Sequence, residues 1–301
     1  MTTFFRALKS IVIMKKKFCW LLALGAFVLP LAAAPLTEST FTEIIRDVNT
    51  LSTAGAAAAA SVNDLLRAPD RVRTGAQSRT ELTAADHTIT RVGANTVFSY
   101  ADSGRTLNLE KGSLLFHSPK GHGGGTIRSG GAAAAVLGTT LIVAATDDGG
   151  FKVILLEGRG RVTLPNGKKI SLRAGQMVFI APNGTKTGGA LDINLEKLVN
   201  GSLLVNGFSR PLPSEPRIAE EIKKQDLLFA SGRAVDTGVP ADQLAPGNGL
   251  NAINSVAYQS GVHPPLTALP GPGIIKGGGG ANPFGLAGLG GSSSVVVGFL
   301  P

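Results

Sequence analysis

The chain has 301 residues, with 29 Lys and Arg against 20 Asp and Glu, a formal net charge of +9 and a single cysteine. Charged residues make up only 16% and aromatics 5%, while glycines number 40. That balance suits a turn-rich β body with a low-complexity segment and speaks against a helical bundle.

The N-terminus reads as an address. Lys15, Lys16 and Lys17 form a basic start, Phe18 to Leu31 an apolar run of 14 residues, and Ala32-Ala33-Ala34 a small-residue cleavage site. This is the pattern of a secretory signal peptide over 1–34, with Met14 as the expected true start. An uncleaved anchor is the alternative, but the run falls short of the roughly 20 residues a bilayer-crossing helix needs. Pro35 is awkward just after a cut, so the scissile bond is left open. Residues 1–34 hold five cations and no acid, so cleavage lowers the net charge from +9 to +4. The high isoelectric point then argues little for nucleic acid. Cys19 lies inside this segment, so the mature chain has no disulfide, thiolate ligand or thiol nucleophile.

Residues 37–67 carry conflicting signals. Thr40 with Glu43 looks like a capping box, and Ile44, Ile45 and Val48 fit a helical face. Phe41-Thr42-Glu43-Ile44-Ile45 is equally the β-branched, aromatic run of a strand. Ala56 to Ala60 offers little to pack.

From Arg71 to Ala181 short runs rich in Val, Ile, Thr and Phe recur about every ten residues, punctuated by Gly, Asn, Asp or Pro. The strands expected are 71–74, 78–83, 88–92, 96–100, 106–110, 113–116, 139–145, 151–157, 160–164, 169–173 and 176–181. Leu107/Leu109 and Phe98/Tyr100 alternate with polar residues, as half-buried strands do. Leu141-Ile142-Val143 and Val153-Ile154-Leu155-Leu156 are continuous, which marks strands covered on both faces. Within this region GHGGGTIRSGGAAAAVLGTTLIVAAT (121–146) admits three readings. A membrane span fails because Gly138-Thr139-Thr140 interrupts a run already too short. A phosphate loop fails because the glycines precede a strand-like Thr126-Ile127-Arg128 and no lysine follows them at the required spacing. Helix is locally open to Ala132–Ala135, but Gly138 and the β-branched residues after it favour a strand following a tight bend. In RVTLPNGKKISL a three-residue Pro165-Asn166-Gly167 loop sets Val162 against Ile170 on one face, whereas a two-residue Asn166-Gly167 loop would put them on opposite faces. The three-residue loop is the expectation.

Beyond residue 190 the periodicity changes. Ser214-Glu215-Pro216 opens RIAEEIKKQDLLFASG, with Ile218, Ile222 and Leu227/Leu228 roughly on one face and Gly232 at the stop, predicting a helix. Asp192 to Leu198 is a weaker helix. Residues 233–301 are rich in Gly and Pro and read as a flexible tail, closed by an apolar Val295-Val296-Val297.

Chemistry-bearing constellations are sparse. His87, His117, His122 and His263 share no metal-ligand spacing. Asp147-Asp148-Gly149-Gly150 lacks the alternating acids of a calcium loop and reads as a turn. Glu110 and Glu157 each end a strand before Gly and read as turn-flanking acids rather than a catalytic pair. No Gly-x-Ser-x-Gly elbow occurs. Eleven aromatics remain after cleavage, none of them Trp and none interleaved with a basic run, a poor stacking platform for single-stranded nucleic acid or sugar. No catalytic, cofactor-binding or metal-ligating residue is assigned, and no cofactor is expected.

Asp70 to Pro182 resembles the FecR domain. The matching stretches are DRVRTGAQSRTEL (70–82), TITRVGANTVFSY (88–100), LNLEKGSLLF (107–116), VLGTTLIVA (136–144), FKVILLEGRGRVTL (151–164) and ISLRAGQMVFIAP (170–182). The resemblance implies a mainly β fold: a FecR-like β-solenoid or two-layer β body with a short C-terminal helical segment and a Gly/Pro-rich tail. It also implies an initial strand over 41–51 in place of the helix its capping box suggests. The organisation that follows is 1–34 signal peptide, 35–190 FecR-like β domain, 191–232 helical extension and 233–301 flexible tail. A regulator of this family has a cytoplasmic sigma-binding segment and a membrane span; here a signal peptide stands in their place. The expectation is therefore a non-enzymatic exported module that binds an envelope protein or envelope polymer through its β surface, in the periplasm or at the cell surface. Neither nucleic acid nor, after cleavage, membrane is an expected partner. The alternative is a surface or matrix protein that self-associates through its tail.

Overall fold

A computed structural model describes residues 34–145, 149–182, 187 and 189–234. Its strands are β1 (Glu38–Ile45), β2 (Val48–Leu51), β3 (Ala57–Ala59), β4 (Leu65–Arg67), β5 (Arg71–Thr74), β6 (Arg79–Thr83), β7 (Ile89–Val92), β8 (Val97–Tyr100), β9 (Thr106–His117), β10 (Gly125–Ser129), β11 (Ala132–Val136), β12 (Thr140–Ala145), β13 (Phe151–Glu157), β14 (Arg159–Thr163), β15 (Lys169–Arg173), β16 (Gln176–Ile180) and β17 (Leu191–Asp192). Three helices follow, α1 (Leu195–Gly201), α2 (Leu203–Asn206) and α3 (Glu215–Ala230).

The strands form two layers. The first runs β4-β1-β6-β7-β9-β12-β13-β16-β17. The second runs β3-β2-β5-β8-β9-β10-β11-β14-β15. The long strand β9 stands in the middle of both. Its residues from Leu107 to Lys111 pair in the second layer, and those from Gly112 to His117 in the first. The strand changes layer at Gly112, whose φ of 87° is open to glycine at little cost and which lies against Thr96 so closely that a Cβ would sit 2.5 Å from the Thr96 Cα.

The core lies between the layers. Leu141, Val143 and Ala145 of β12 and Phe151, Val153 and Leu155 of β13 point inward to meet Val162 and Leu172 from the opposite sheet. The intervening Ile142, Ile154 and Leu156 point outward and are equally buried, because Leu195, Leu198, Leu204, Val205 and Ile218 of the helices cover that face. This is why β12 and β13 read as unbroken apolar runs, while β14 and β15 alternate buried and exposed positions.

Several expectations meet the structure directly. Residues 41–51 are strand, turned at Arg46 (φ 66°); the capping-box signal loses to pairing with β6. The Pro165-Asn166-Gly167 loop forms, with Val162 opposite Ile170 and Leu164 N–H donating to the Lys168 carbonyl at 2.8 Å. Ala132–Ala135 is strand despite alanine's helix preference. Gly130 and Gly131, both at positive φ, make a two-residue hairpin turn that pairs Ser129 with Ala132 and aligns β10 with β11. Three readings need correction. Asp192 belongs to β17, and α1 begins only at Leu195, where the Asn194 side chain caps the Lys197 N–H at 2.9 Å. On α3 the expected apolar stripe ends at Ile222: Leu227 is 71% exposed, and Gln225 takes the buried position instead. Gln225 holds it by donating to the Ile193 and Gly175 carbonyls and accepting from the Leu195 N–H, an orphan donor of α1. Strands β3 and β4 were absent from the expected set, being three residues each in an alanine-rich and a polar stretch.

Candidate functional site

The two outer faces differ in kind. On the first sheet the face beneath the helices is a closed polar and apolar seam. Arg91 is fully buried; its Nε donates to Glu81 at 2.8 Å. The rest of its guanidinium donates to the Leu204, Val205 and Arg210 carbonyls, and the Phe208 ring lies 4.5 Å from its Cζ. Glu81 also accepts from Thr42, Arg79 donates to the Gly207 carbonyl at 2.6 Å, and Glu43 accepts from Ser209. The segment after α2 is thus pinned to β1, β6 and β7 by charge-assisted hydrogen bonds, the stronger class.

A second buried chain lies further along the same face. Arg217 of α3 donates to Glu157 at 3.2 and 3.3 Å, Thr140 donates to Glu157 at 3.1 Å, and His117 Nδ1 lies 2.9 Å from the Thr140 hydroxyl. Since that hydroxyl's only proton goes to the carboxylate, the network makes His117 Nδ1 the donor to Thr140. A carboxylate, a hydroxyl and an imidazole in a row have the composition of a nucleophilic triad, but His117 is 1% exposed and Thr140 0%, so no substrate reaches them. The chain serves as a latch between α3 and the sheet.

Two bases on this face set a pH dependence. Burial, reinforced by the charges of Arg217 and Arg91, pushes His117 from 6.5 down to about 4. Burial also pushes Lys152 from 10.5 down to about 7. In each case the unfolded chain holds the proton over the interval between the two values, so stability rises with pH across it. Urea-denaturation midpoints should therefore fall as pH drops from 6.5 toward 4 and climb as pH rises from 7 toward 10.5. Lys152→Met should flatten the alkaline limb while leaving the acid limb in place.

The outer face of the second sheet carries no helix among the described residues. Alternation along its strands puts Arg71 and Arg73 of β5, Arg128 of β10, Arg159 and Arg161 of β14, and Lys169 and Arg173 of β15 on this side, opposite the inward Val72, Ile127, Val162 and Leu172. Glu110 pairs with Arg71 at 3.4 Å, and Asp192 with Arg173 at 2.7 Å. No other carboxylate pairs with the remaining cations of this face among the described residues. A groove of about 870 Å³ crosses β11, β14 and β15, lined by Ala135, Leu137, Arg159, Arg161, Ser171 and Arg173 among others.

Of the residues singled out in the sequence, His87 sits in a turn at φ 64° and His122 in an exposed loop, while His117 is the buried latch member. His263, Asp147 and Asp148 lie outside the described residues. Glu110 is exposed and paired with Arg71, whereas Glu157 is buried and paired with Arg217, so the two serve different sheets. No group of three or more His, Cys, Asp or Glu converges among the described residues, and no described helix is long and apolar enough to cross a membrane. The basic face escaped the sequence reading. Its signal was present in the period-two spacing of Arg71-Val72-Arg73 and Arg159-Gly160-Arg161, which places both cations of each pair on one side of a strand.

A two-layer β body with one face capped by helices and one left open defines the class of protein. Residues 70–161 match the family described as FecR protein, so the chain contains a FecR domain. The expected resemblance and the mainly β fold are thereby established. Two crystal structures, each of a candidate anti-sigma factor from Parabacteroides distasonis ATCC 8503, are similar. The one at 1.65 Å shares 19% identity with a TM-score of 0.38, covering 42% of this chain and 62% of that one. The other, at 2.50 Å, shares 18% identity with a TM-score of 0.39, covering 64% and 92%. The chain therefore spans less than two thirds of the first of these structures. No curated protein matches the sequence.

Proposed function

We propose that this chain is an exported, non-enzymatic recognition module of the periplasm or cell surface, and that it contacts an envelope component through the open face of its second sheet. The basic start, apolar run and alanine triplet within residues 1–34 support export. The observation that carries the contact surface is the asymmetry of the two faces: the helices seal one, and the other presents Arg71, Arg73, Arg128, Arg159, Arg161, Lys169 and Arg173 to solvent against two paired acids. One-signed patches of this kind steer association with partners of opposite charge. The buried state of Thr140 and His117 supports a binding role over catalysis. The self-associating alternative rests on the tail, of which residues 235–301 lie outside the described residues.

The test is capture from fractionated envelope by the full chain, compared with the Arg159→Glu, Arg161→Glu double variant. The wild-type chain should enrich a defined partner set at low salt and the variant should lose it with its thermal unfolding unchanged. Equal enrichment by both would remove the open face from consideration.

A further inference from the structure

We propose that the groove across β11, β14 and β15 holds a strand of acidic polysaccharide; this rests on the open face being the contact surface and names what occupies it. The pairing register sets Arg159 directly opposite Arg173, and Arg161 between Ala135 and Ser171. Like charges placed opposite each other across a strand pair destabilise it. Asp192 offsets Arg173, but Arg159 and Arg161 make no ion pair among the described residues. The fold keeps an uncompensated cationic pair on an exposed strand, the arrangement expected where an external anion completes the charge balance.

The grid of charges sets the ligand's form. Same-face residues on one strand repeat at about 6.5–7 Å, and neighbouring strands lie about 4.8 Å apart. Three guanidinium groups so arranged suit several anions in a row, each able to take two parallel hydrogen bonds from an Arg fork, more than one isolated ion. Lys169 and Thr163, paired one step along the same ladder, extend the track.

The lining chooses among polymers. Its side chains are Arg, Ser, Gln, Ala, Val and Leu, with Gly160 between Arg159 and Arg161, and no aromatic residue. Single-stranded nucleic acid is held by bases stacking on aromatic rings, which this groove lacks. Protein interfaces concentrate aromatic, Met and Arg side chains at their centres, and of these only Arg is present here. A membrane surface binds through an inserted apolar face, but the one large apolar side chain exposed at the groove is Leu137. Carboxylates spaced along a hydroxyl-rich chain match what remains: Arg forks for the acids and the Ser171 hydroxyl for the ring oxygens.

The experiment is isothermal titration of the full chain with polygalacturonate fragments at about 0.05 M and 0.5 M salt, beside dextran, polyglutamate, a single-stranded oligonucleotide and phosphatidylglycerol vesicles. Polygalacturonate should bind at low salt, weaken at high salt, and lose about tenfold in affinity in the Arg159→Ala, Arg161→Ala variant. Lys223→Ala, on exposed α3, should leave affinity unchanged, and dextran should not bind. Absence of polygalacturonate binding, indifference to the groove variant, or tighter binding of polyglutamate, the oligonucleotide or the vesicles would each overturn the assignment. If polygalacturonate fails while envelope capture still depends on Arg159 and Arg161, the polysaccharide falls and the open contact face stands. If capture is also indifferent to them, both fall.

Discussion

Replacing Arg91 with alanine is expected to lower the unfolding free energy by about 3–5 kcal/mol, the usual cost of removing one partner of a buried ion pair. The change strands the Glu81 carboxylate, which is almost fully buried, and frees the Leu204, Val205 and Arg210 carbonyls that the guanidinium now satisfies. A domain of this size has about 5–15 kcal/mol in hand, so the loss is a large share of it. Urea denaturation gives the global figure, and limited proteolysis between residues 203 and 214 reports release of the pinned segment. Arg91→Lys should fall between, because an ammonium cannot reach the carboxylate and three carbonyls with a planar fork. A variant with Arg91→Met and Glu81→Leu together should recover part of the loss, since an apolar pair leaves no buried charge, while the three carbonyls that Arg91 satisfied stay without a donor. Unchanged stability in Arg91→Ala would show that the helical segment is held by its apolar contacts alone.

The second large effect is expected at the centre of β9. Gly112→Ala puts a side chain at φ 87°, where L residues are strained, and drives its Cβ to 2.5 Å from the Thr96 Cα and 2.7 Å from its Cβ. Relief requires moving β8 or the turn before it, yet the Thr96 hydroxyl is tied to both the N–H and the carbonyl of Ser113. Strain and overpacking together should cost about 2–4 kcal/mol. Because β9 belongs to both layers, the loss should appear as one cooperative transition at a lower denaturant midpoint, followed equally by far-ultraviolet and near-ultraviolet circular dichroism. Two separated transitions would mean that the layers fold independently. Gly167→Ala is the useful comparison: its φ of 80° is similar but open space surrounds it, so it isolates the backbone strain from the clash.

Local rules were enough where a strong turn signal joined two apolar runs, but not for the short β2–β3 hairpin, whose alanine-rich strand carries no pattern. The β14–β15 hairpin was legible in Pro165-Asn166-Gly167, because turn geometry fixes register over a few residues, whereas the Gly130-Gly131 turn that pairs β10 with β11 went unread. The doubly buried β13 was legible from its unbroken apolar run, although Lys152 within it gave no hint that it too would be buried. Signals failed where the deciding contact came from far along the chain. Arg91 in TITRVG looks like the solvent-facing member of a half-buried strand; it is buried because a segment more than a hundred residues later closes over it. His117 and Glu157 likewise gain their latch from Arg217. Leu227 and Gln225 exchange their expected places because one polar side chain satisfies three backbone groups that a leucine would leave bare. The basic face was hidden by a different cause: net charge averages over the molecule, whereas strand alternation sorts it by side.

The covering of the first sheet by α1 to α3 has a consequence for how the molecule is made. Ile142, Ile154, Leu156 and Met177, together with the ionised Arg91 and Glu81, stay uncovered until residues 195–218 have been synthesised. A nascent chain halted near residue 190 presents a greasy slab studded with two desolvation-prone charges, a surface that invites clumping. The residues that emerge after position 190 thus include the piece that finishes the interior, and the earlier portion must be kept apart from its neighbours until that piece arrives.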